Sequence, residues 1–550
     1  MRSRSLFAML FALSASLPSN AIAAEWSTLV QPIGTRNDPF LLDPAVLNLG
    51  YPAGKGPWEA NTMVTSIRTT ATQFFVRFYN PTAQENPSNQ EGGWVMRASE
   101  VRGLTPEQVR DRFALPNVPT MMTLGLTNSG EALYTGLAGP IAGWGNGGGQ
   151  QSQRLDGPYT TFFNGQAVTA STLYYPSLAS TANGRAVGAY LMAHLPGPYS
   201  DMESAYDSLD VLYNPASASQ FDAALLSIGP ERFDNLLRVG YDAAMLHSRA
   251  IGSHLQRVRS VGGSGGGWMV AVRDFGGHAD EGFEGSVGGL VAGYDHAASG
   301  SVRYGISAAW LRSTLDWNTG GEADADSFRG AAFASVDEGP VFMQFVLSGG
   351  AFRARVSRYI SIGTFYQPSP HGPAASPLMP VARMASSTPS GWDADVTLRA
   401  GSSFEEGEMR IVPVVEAGCL RQMIGAFPEG GAGSLGLQLH PFGATTAHAG
   451  ANLRIERPVV FAVRGRLVPY AEAGWNWRHR LDARGISASM NGWADTFTVT
   501  ASEGVEHYVA GALGLTLSEV DGPALFLEGY GDGSRQDGGW GIRTGLSWGW

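Results

Sequence analysis

The sequence predicts an all-β fold. Its C-terminal half closes into a twelve-stranded antiparallel transmembrane β-barrel with an α-helix threading the pore, preceded by a small mixed, largely β/loop N-terminal domain. Three observations predict it. From Gly266 to the last residue a two-residue alternation recurs, with one face apolar and aromatic and the other small or polar. The composition, with 73 glycines, 10% aromatic and only 15% charged residues, suits strands and loops better than helical bundles, whose surfaces need more charge. Connections between the alternating segments are sorted, tight turns falling at one end and long loops at the other.

Bulk properties narrow the class. At 550 residues the chain exceeds one ordinary core, so two or more domains are expected. Net charge is −11 and Lys55 is the sole lysine; no basic patch suits nucleic acid. The single cysteine, Cys419, excludes an intrachain disulfide and a Cys-built metal site. Residues 1–23 read as a signal peptide: Arg2 and Arg4, an apolar run from Leu6 to Leu13, then Ala21-Ile22-Ala23 before the cleavage point. Beyond them no stretch approaches the roughly 18 unbroken apolar residues of a transmembrane helix. A closed barrel is the other structure that satisfies every backbone group in lipid.

The alternating segments fall near 266–276, 285–296, 301–314, 325–337, 340–354 and 391–403, then 408–420, 444–456, 465–478, 506–518, 522–532 and 537–550. In the third, Val302, Tyr304, Ile306, Ala308 and Trp310 oppose Arg303, Gly305, Ser307 and Ala309. In the sixth, Trp392, Ala394, Val396, Leu398 and Ala400 oppose Asp393, Asp395, Thr397, Arg399 and Gly401. In the ninth, Leu467, Ala471, Ala473, Trp475 and Trp477 oppose Tyr470, Glu472, Gly474, Asn476 and Arg478. The last segment, closing on GIRTGLSWGW, sets Trp540, Ile542, Thr544, Leu546, Trp548 and Trp550 against Gly541, Arg543, Gly545, Ser547 and Gly549. A soluble sandwich would turn its apolar face inward and a Lys- and Glu-rich face outward. Here the polar face is small and Gly-rich, and aromatics gather near strand ends as an interfacial girdle does. Even-numbered connections include DHAASG, DEGP, EEGE and EVDGP, whereas odd-numbered ones include 355–390, 421–443 and 479–505. The connection near 457–464 is long for its side.

The stretch GWMVAVRDFGGHADEGFEGSVGGLVAGYDH, followed by VRYGISAAW, resembles the opening strands of the autotransporter β-domain of type V secretion, a likeness covering roughly residues 220–550. Trp550, with Trp548 and Leu546 at alternating positions before it, is similar to the C-terminal assembly signal of outer-membrane proteins. The resemblance implies a monomer anchored in the outer membrane of a Gram-negative cell, after export to the periplasm. It further implies partners in the membrane lipid, the periplasmic chaperones and the barrel-assembly machinery that reads the C-terminal aromatic. Under it the chain divides into a passenger domain at 24–205, a helical linker including the pore helix at 206–262 and the barrel domain at 263–550. Some family members cut themselves at paired asparagines in the helix. Here Asn235 is followed by Leu236, so that route is not expected.

The helix itself is legible. Pro230 suits a first turn, helix-compatible residues run from Glu231 to about Arg259, and a glycine-rich stretch follows Val261. Arg238, Tyr241, His247, Arg249, His254 and Arg257 among Leu and Ala suit a polar lumen; packing on the upstream domain is the alternative. His247 and His254 lie two turns apart without an evident third ligand, so they read as pore-lining rather than metal-binding.

Upstream, Thr105-Pro106-Glu107-Gln108 is a capping box opening a short helix, with extended chain resuming at Pro116. RGLTPEQVRDRFALPNVPT resembles a segment of some proteobacterial passengers, a likeness that implies no activity. GWGNGGGQQ lacks the Lys-Ser/Thr ending of a phosphate loop and reads as a flexible surface loop. No Gly-Asp-Ser block or HExxH occurs there, and Ser200-Asp201 and Asp207-Ser208 lack the glycine turn that exposes a nucleophile. A Ser-His-Asp triad would need His194, the sole histidine before the helix. TTFFNGQ and STLYYPS suit core strands or a binding face. The residues therefore favour no catalytic site, no metal, no cofactor and a binding or adhesin-like passenger with an unknown surface ligand. A displayed hydrolase and a porin with a periplasmic domain are the alternatives.

Overall fold

The computed structural model describes residues 30–32, 41–70, 73–155, 160–168, 170–197, 200–262, 265–278, 282–363, 381–460, 465–482, 485–501, 505–519, 522–534 and 537–549. The signal-peptide residues and Trp550 lie outside them. The chain divides into two units, one comprising residues to Leu178 with Leu191–Ala218, the other Ala179–Tyr190 with Ser219–Ile362 and Val381 onward.

The second unit is a closed antiparallel barrel. Its strands are β1 (Gly265–His278), β2 (Phe283–Ala297), β3 (Val302–Trp317), β4 (Gly321–Glu338), β5 (Val341–Ile362) and β6 (Ser390–Ser402), then β7 (Met409–Ile424), β8 (Phe442–Glu456), β9 (Gly465–Arg480), β10 (Val505–Glu519), β11 (Ala524–Gly533) and β12 (Asp537–Gly549). Each pairs with the next, and β12 returns to β1 from Gly266↔Gly549 to His278↔Asp537, with Trp268 opposite Ser547. Closure leaves no unpaired edge in lipid. All twelve segments expected from the alternation are these strands.

Side chains follow the expected faces. Tyr304, Ile306 and Trp310 on β3 are exposed, whereas Ser307 and Leu311 are buried within. On β6 Trp392, Val396 and Leu398 face out, while Asp393, Asp395, Thr397 and Arg399 are buried. Trp540, Ile542 and Trp548 of β12 point outward and Arg543 inward. Outward aromatics collect at two levels: Phe275, Trp310, Phe328, Trp392, Trp475 and Trp540 toward the long-loop rim, and Tyr294, Tyr304, Phe345 and Trp548 toward the short-turn rim.

Two features exceed the expectation. β5 runs past residue 354 to Ile362, because Val356–Ile362 pairs with Val381–Ser387 and the ladder projects beyond the wall. The long loops also build a four-stranded sheet of their own from Phe427–Pro428, Leu437–Leu439, Gly485–Met490 and Phe497–Thr500. On the opposite rim, within the connection that is long for its side, Val459 and Val460 pair with Leu467 and Arg466.

The helix spans Asp234–Val261, entered through a 3-10 turn at Glu231–Phe233 that Pro230 precedes. It stops at Gly262, whose φ of 84° lies in the left-handed region open to glycine. Its 28 residues extend about 42 Å at 1.5 Å each, enough to traverse a bilayer core. No described helix is apolar enough to cross a membrane by itself.

The first unit is a nine-stranded antiparallel sheet in the spatial order Val30–Pro32, Val64–Thr69, Ala132–Leu137, Gln150–Arg154, Trp94–Met96, Gln73–Tyr79, Met121–Thr127 and Thr160–Ala167, with Leu41–Leu42 beside Val64–Thr69. Phe74, Val76, Phe78, Met122, Leu124 and Phe163 form its main core with Val109, Phe113 and Val211. Ile67, Phe75, Val95 and Leu133 pack on the other face. The capping box is present: Gln108 N donates to Thr105 Oγ1 (3.3 Å) and Thr105 N to Gln108 Oε1 (2.9 Å). The helix Asp201–Leu212 belongs to this unit, whereas Ala182–Ala193 lies mostly, and Ala218–Ile228 almost wholly, in the second; together they make the chain before the barrel more helical than its composition suggests.

Candidate functional site

The site is the barrel lumen and the helix that fills it. Burying a charged side chain in a pore requires a partner on the facing wall, and the strands supply partners along the helix. At the long-loop end, Trp317 Nε1 donates to Asn235 Oδ1 (2.8 Å) and Arg480 Nη1 to Asp234 Oδ2 (2.7 Å). One turn on, Arg238 Nη1 meets Glu506 Oε2 at 3.0 Å. Midway, His247 Nε2 lies 2.9 Å from Ser307 Oγ, and Arg399 donates to both Ser248 O and Ser248 Oγ at 3.2 Å. Lower down, His254 Nε2 bonds Asp295 Oδ1 at 2.9 Å and its ring stacks on Trp268 at 4.6 Å. At the short-turn end, Arg259 Nε donates to Asp337 Oδ1 (2.7 Å), Ser260 Oγ to Glu456 Oε2 (2.6 Å) and Arg466 Nη1 to Ser260 O (3.1 Å).

Close approach matters as much as charge. A Cβ at Gly252 would strike the Arg399 guanidinium, and one at Gly240 would sit 2.6 Å from Gln422 Nε2. Tyr241, Ala244 and Met245 pack on Leu420 of β7. Two polar cavities remain beside the helix. One is lined by Arg238, Asp242, Asp274, His278, Glu506 and Asp537, the other by Glu416, Asn452, Arg454, Glu472, Asn476 and Arg543; Arg249 and Asp532 border both. The arrangement holds a helix in a pore and fills it. His247 and His254 face separate strands, as pore-lining residues do, and among the described residues no three His, Cys, Asp or Glu side chains converge to hold a metal ion.

The N-terminal candidates have structural partners. Ser200 caps the helix Asp201–Leu212, accepting from Glu203 N at 3.2 Å. Ser208 Oγ donates to Ser204 O within that helix (2.9 Å). Asp207 and Asp210 both receive Arg102, at 2.9 and 2.6 Å, and Tyr175 Oη donates to Asp210 Oδ1 at 2.8 Å. Burial pushes the Asp207 carboxyl up to about 7 despite Arg102, and Asp210 shifts the same way for the same reason. His194 ends the Ala182–Ala193 helix, its carbonyl accepting from Tyr206 Oη at 2.9 Å. The GWGNGGGQQ loop is pinned to the helix Pro106–Arg112: Asn146 N and Gly147 N donate to Asp111 at 3.1 and 2.9 Å. A Cβ at Gly145 would strike Asp111, which accounts for glycine there. TTFFNGQ is a core strand holding buried Phe163, while STLYYPS buries Tyr175 and leaves Tyr174 exposed.

Of the C-terminal signal residues, Trp548 faces out over Gly267 of β1, Leu546 lies at the same parity, and Trp550 lies outside the described residues. A paired group with no sequence signal is Arg358, which grips Glu429 with both side chains fully buried.

Residues 267–528 match the family model of the autotransporter beta-domain. The chain is similar to the translocator domain of the autotransporter NalP from Neisseria meningitidis, at 17% identity over 57% of this chain and 99% of that one, with a TM-score of 0.41. It is also similar to the β-domain of the Bordetella autotransporter BrkA (16%, covering 52% and 100%, TM-score 0.37) and to the transport unit of AIDA-I from Escherichia coli (10%, covering 52% and 90%, TM-score 0.30). No curated protein matches the chain. The barrel half of this chain is an autotransporter β-domain, an outer-membrane translocator of the type V secretion family.

Proposed function

We propose that the chain displays its own N-terminal unit at the cell surface as a binding or adhesin-like module, by a mechanism that is structural rather than catalytic. One observation carries this reading: the polarity of the helix. Asp234 and Asn235 are tied to the outer strand ends at Arg480 and Trp317, and Ser260 to the opposite rim at Glu456. The chain that enters the helix, with Ser227 and Arg232 bonded to Ser361 and Tyr359, therefore lies on the long-loop side, which in outer-membrane barrels faces the exterior. Support for binding rather than catalysis comes from the structural employment of Ser200, Asp207, Ser208 and Asp210 and from the exposed apolar side chains of Leu41, Val46, Leu49 and Met63.

The test is an epitope placed beside Lys55. Protease added to intact cells removes it if the unit is displayed, whereas full protection favours a porin with a periplasmic domain. His194→Ala separates the remaining alternative, since it abolishes a triad hydrolase and leaves an adhesin untouched. Leu546, Trp548 and Trp550 act in this reading as the signal for the barrel-assembly machinery, after delivery by periplasmic chaperones. Deleting residues 547–550 should abolish insertion, and normal heat-modifiable barrel in the outer membrane would refute that role.

A further inference from the structure

The long outer loops do more than connect strands. Their four-stranded sheet takes up the segment Ala179–Tyr190 as an edge partner. Asn183 lies along the last strand of that sheet with a reciprocal pair: its Nδ2 donates to Thr500 O and its Oδ1 accepts from Thr500 N, both at 2.9 Å. The side-chain amide thus satisfies an edge peptide as a neighbouring strand would. Tyr190 is buried on the same sheet. Its hydroxyl donates to Asp495 O (2.8 Å) and accepts from Met490 N (3.2 Å), and its ring meets Phe497 at 4.5 Å and Trp493 at 5.5 Å.

A second set of contacts fixes the chain between this segment and the pore. Ser180 N donates to Asp222 Oδ1 (3.0 Å), bracing the segment on the helix Ala218–Ile228. That helix ends in Ser227 O and Ile228 O, which accept from Arg358 at 2.5 and 3.2 Å on the projecting part of β5. Arg358 in turn holds Glu429 by two bonds, at 2.7 and 2.5 Å, and Glu429 accepts from Leu437 N (2.9 Å) in the loop sheet. Phe233 packs edge-on against Phe427 at 5.0 Å just before the lumen helix. Barrel closure requires none of these contacts.

We propose that the outer loops form a latch for the chain's own exit segment, with the four-stranded loop sheet as receptor and residues 179–190 as occupant. Docked on the outer loops, the segment holds the exported chain outside the pore and resists its slippage back. This inference rests on the display reading above.

The experiment uses the full-length chain in intact cells, with trypsin as probe and cleavage after Arg185, inside the docked segment, read by mass spectrometry. Asn183→Ala with Tyr190→Ala should speed that cleavage at least tenfold while the barrel keeps its heat-modifiable migration. Phe497→Ala, on the receptor side, should do the same, and combining it with Tyr190→Ala should add little further. A folded barrel with cleavage at the wild-type rate in both variants overturns the latch. A protected Lys55 epitope overturns the display reading instead, so the two failures are distinguishable. If Tyr190→Ala lowers surface arrival, Phe497→Ala decides the question.

Discussion

Arg102 shows how much a single residue organises in the N-terminal unit. Its side chain and that of Asp210 are wholly buried, and Asp207 retains 17% exposure beside them. Removing one member of such a group leaves an uncompensated buried charge. Arg102→Met should therefore destabilise the unit by ~3–5 kcal/mol, whereas replacing the group together by apolar residues should cost far less. Loss of protection in the helix Asp201–Leu212 by hydrogen exchange would report it. The same cluster gives a pH dependence whose sign is fixed. Asp207 has a folded-state pKa of about 7 because burial disfavours its anion, well above the ordinary aspartate value of 3.8. Between those values the folded form holds a proton that the unfolded form has lost, so stability falls as pH rises through this window and is higher below it. Exchange from the Asp201–Leu212 helix, corrected for intrinsic rates, should accelerate between pH 5 and pH 7.5, and Asp207→Asn should flatten that response.

Among the elements, strands were the most legible part of the molecule because a period of two survives wherever one face meets lipid and the other a polar lumen. The loop sheet was not legible. Its strands at Phe427–Pro428 and Leu437–Leu439 are two and three residues long, and their partner at Gly485–Met490 lies far along the chain. The helix Ala182–Ala193 hid behind Gly184 and Gly188, which dilute helical composition, although Ser200 and Glu203 carry capping-box spacing for the next one. Arg358 and Glu429 are 71 residues apart and no local pattern joins them. Adjacent strands are also keyed by aromatic rings lying over glycines. Tyr470 of β9 covers Gly514 of β10, Tyr530 of β11 covers Gly541 of β12, and Trp268 of β1 covers Gly293 of β2. A Cβ at Gly514 would enter the Tyr470 ring, whose hydroxyl donates to Glu528 Oε2 at 2.5 Å. Gly514→Val should displace Tyr470 and break that bond, lowering the heat-modifiable fraction, whereas Gly529→Ala, with nothing within 4 Å of its Cβ, should leave assembly unchanged.

For the molecule as a whole, the decisive property is which side of the sheet meets lipid, and one strand can test it. Leu513 and Ala512 are neighbours on β10. Leu513 is 70% exposed among the outward apolar residues, while Ala512 borders the lumen cavity shared with Glu416, Glu472 and Arg543. In a soluble sandwich an arginine would be tolerated on the exposed side and would disrupt the enclosed one. In an outer-membrane barrel the order reverses, because the exposed side faces hydrocarbon and the enclosed side is polar. Leu513 lies midway along β10, near the bilayer centre, so Leu513→Arg should cost ~2–4 kcal/mol of folding free energy in lipid vesicles. Ala512→Arg should cost much less, since Glu472 stands directly across on β9 and supplies a counter-charge. Urea titration of both variants in vesicles, followed by tryptophan fluorescence, measures the difference. Equal costs, or a larger cost at Ala512, would mean that the apolar face of this barrel does not meet lipid.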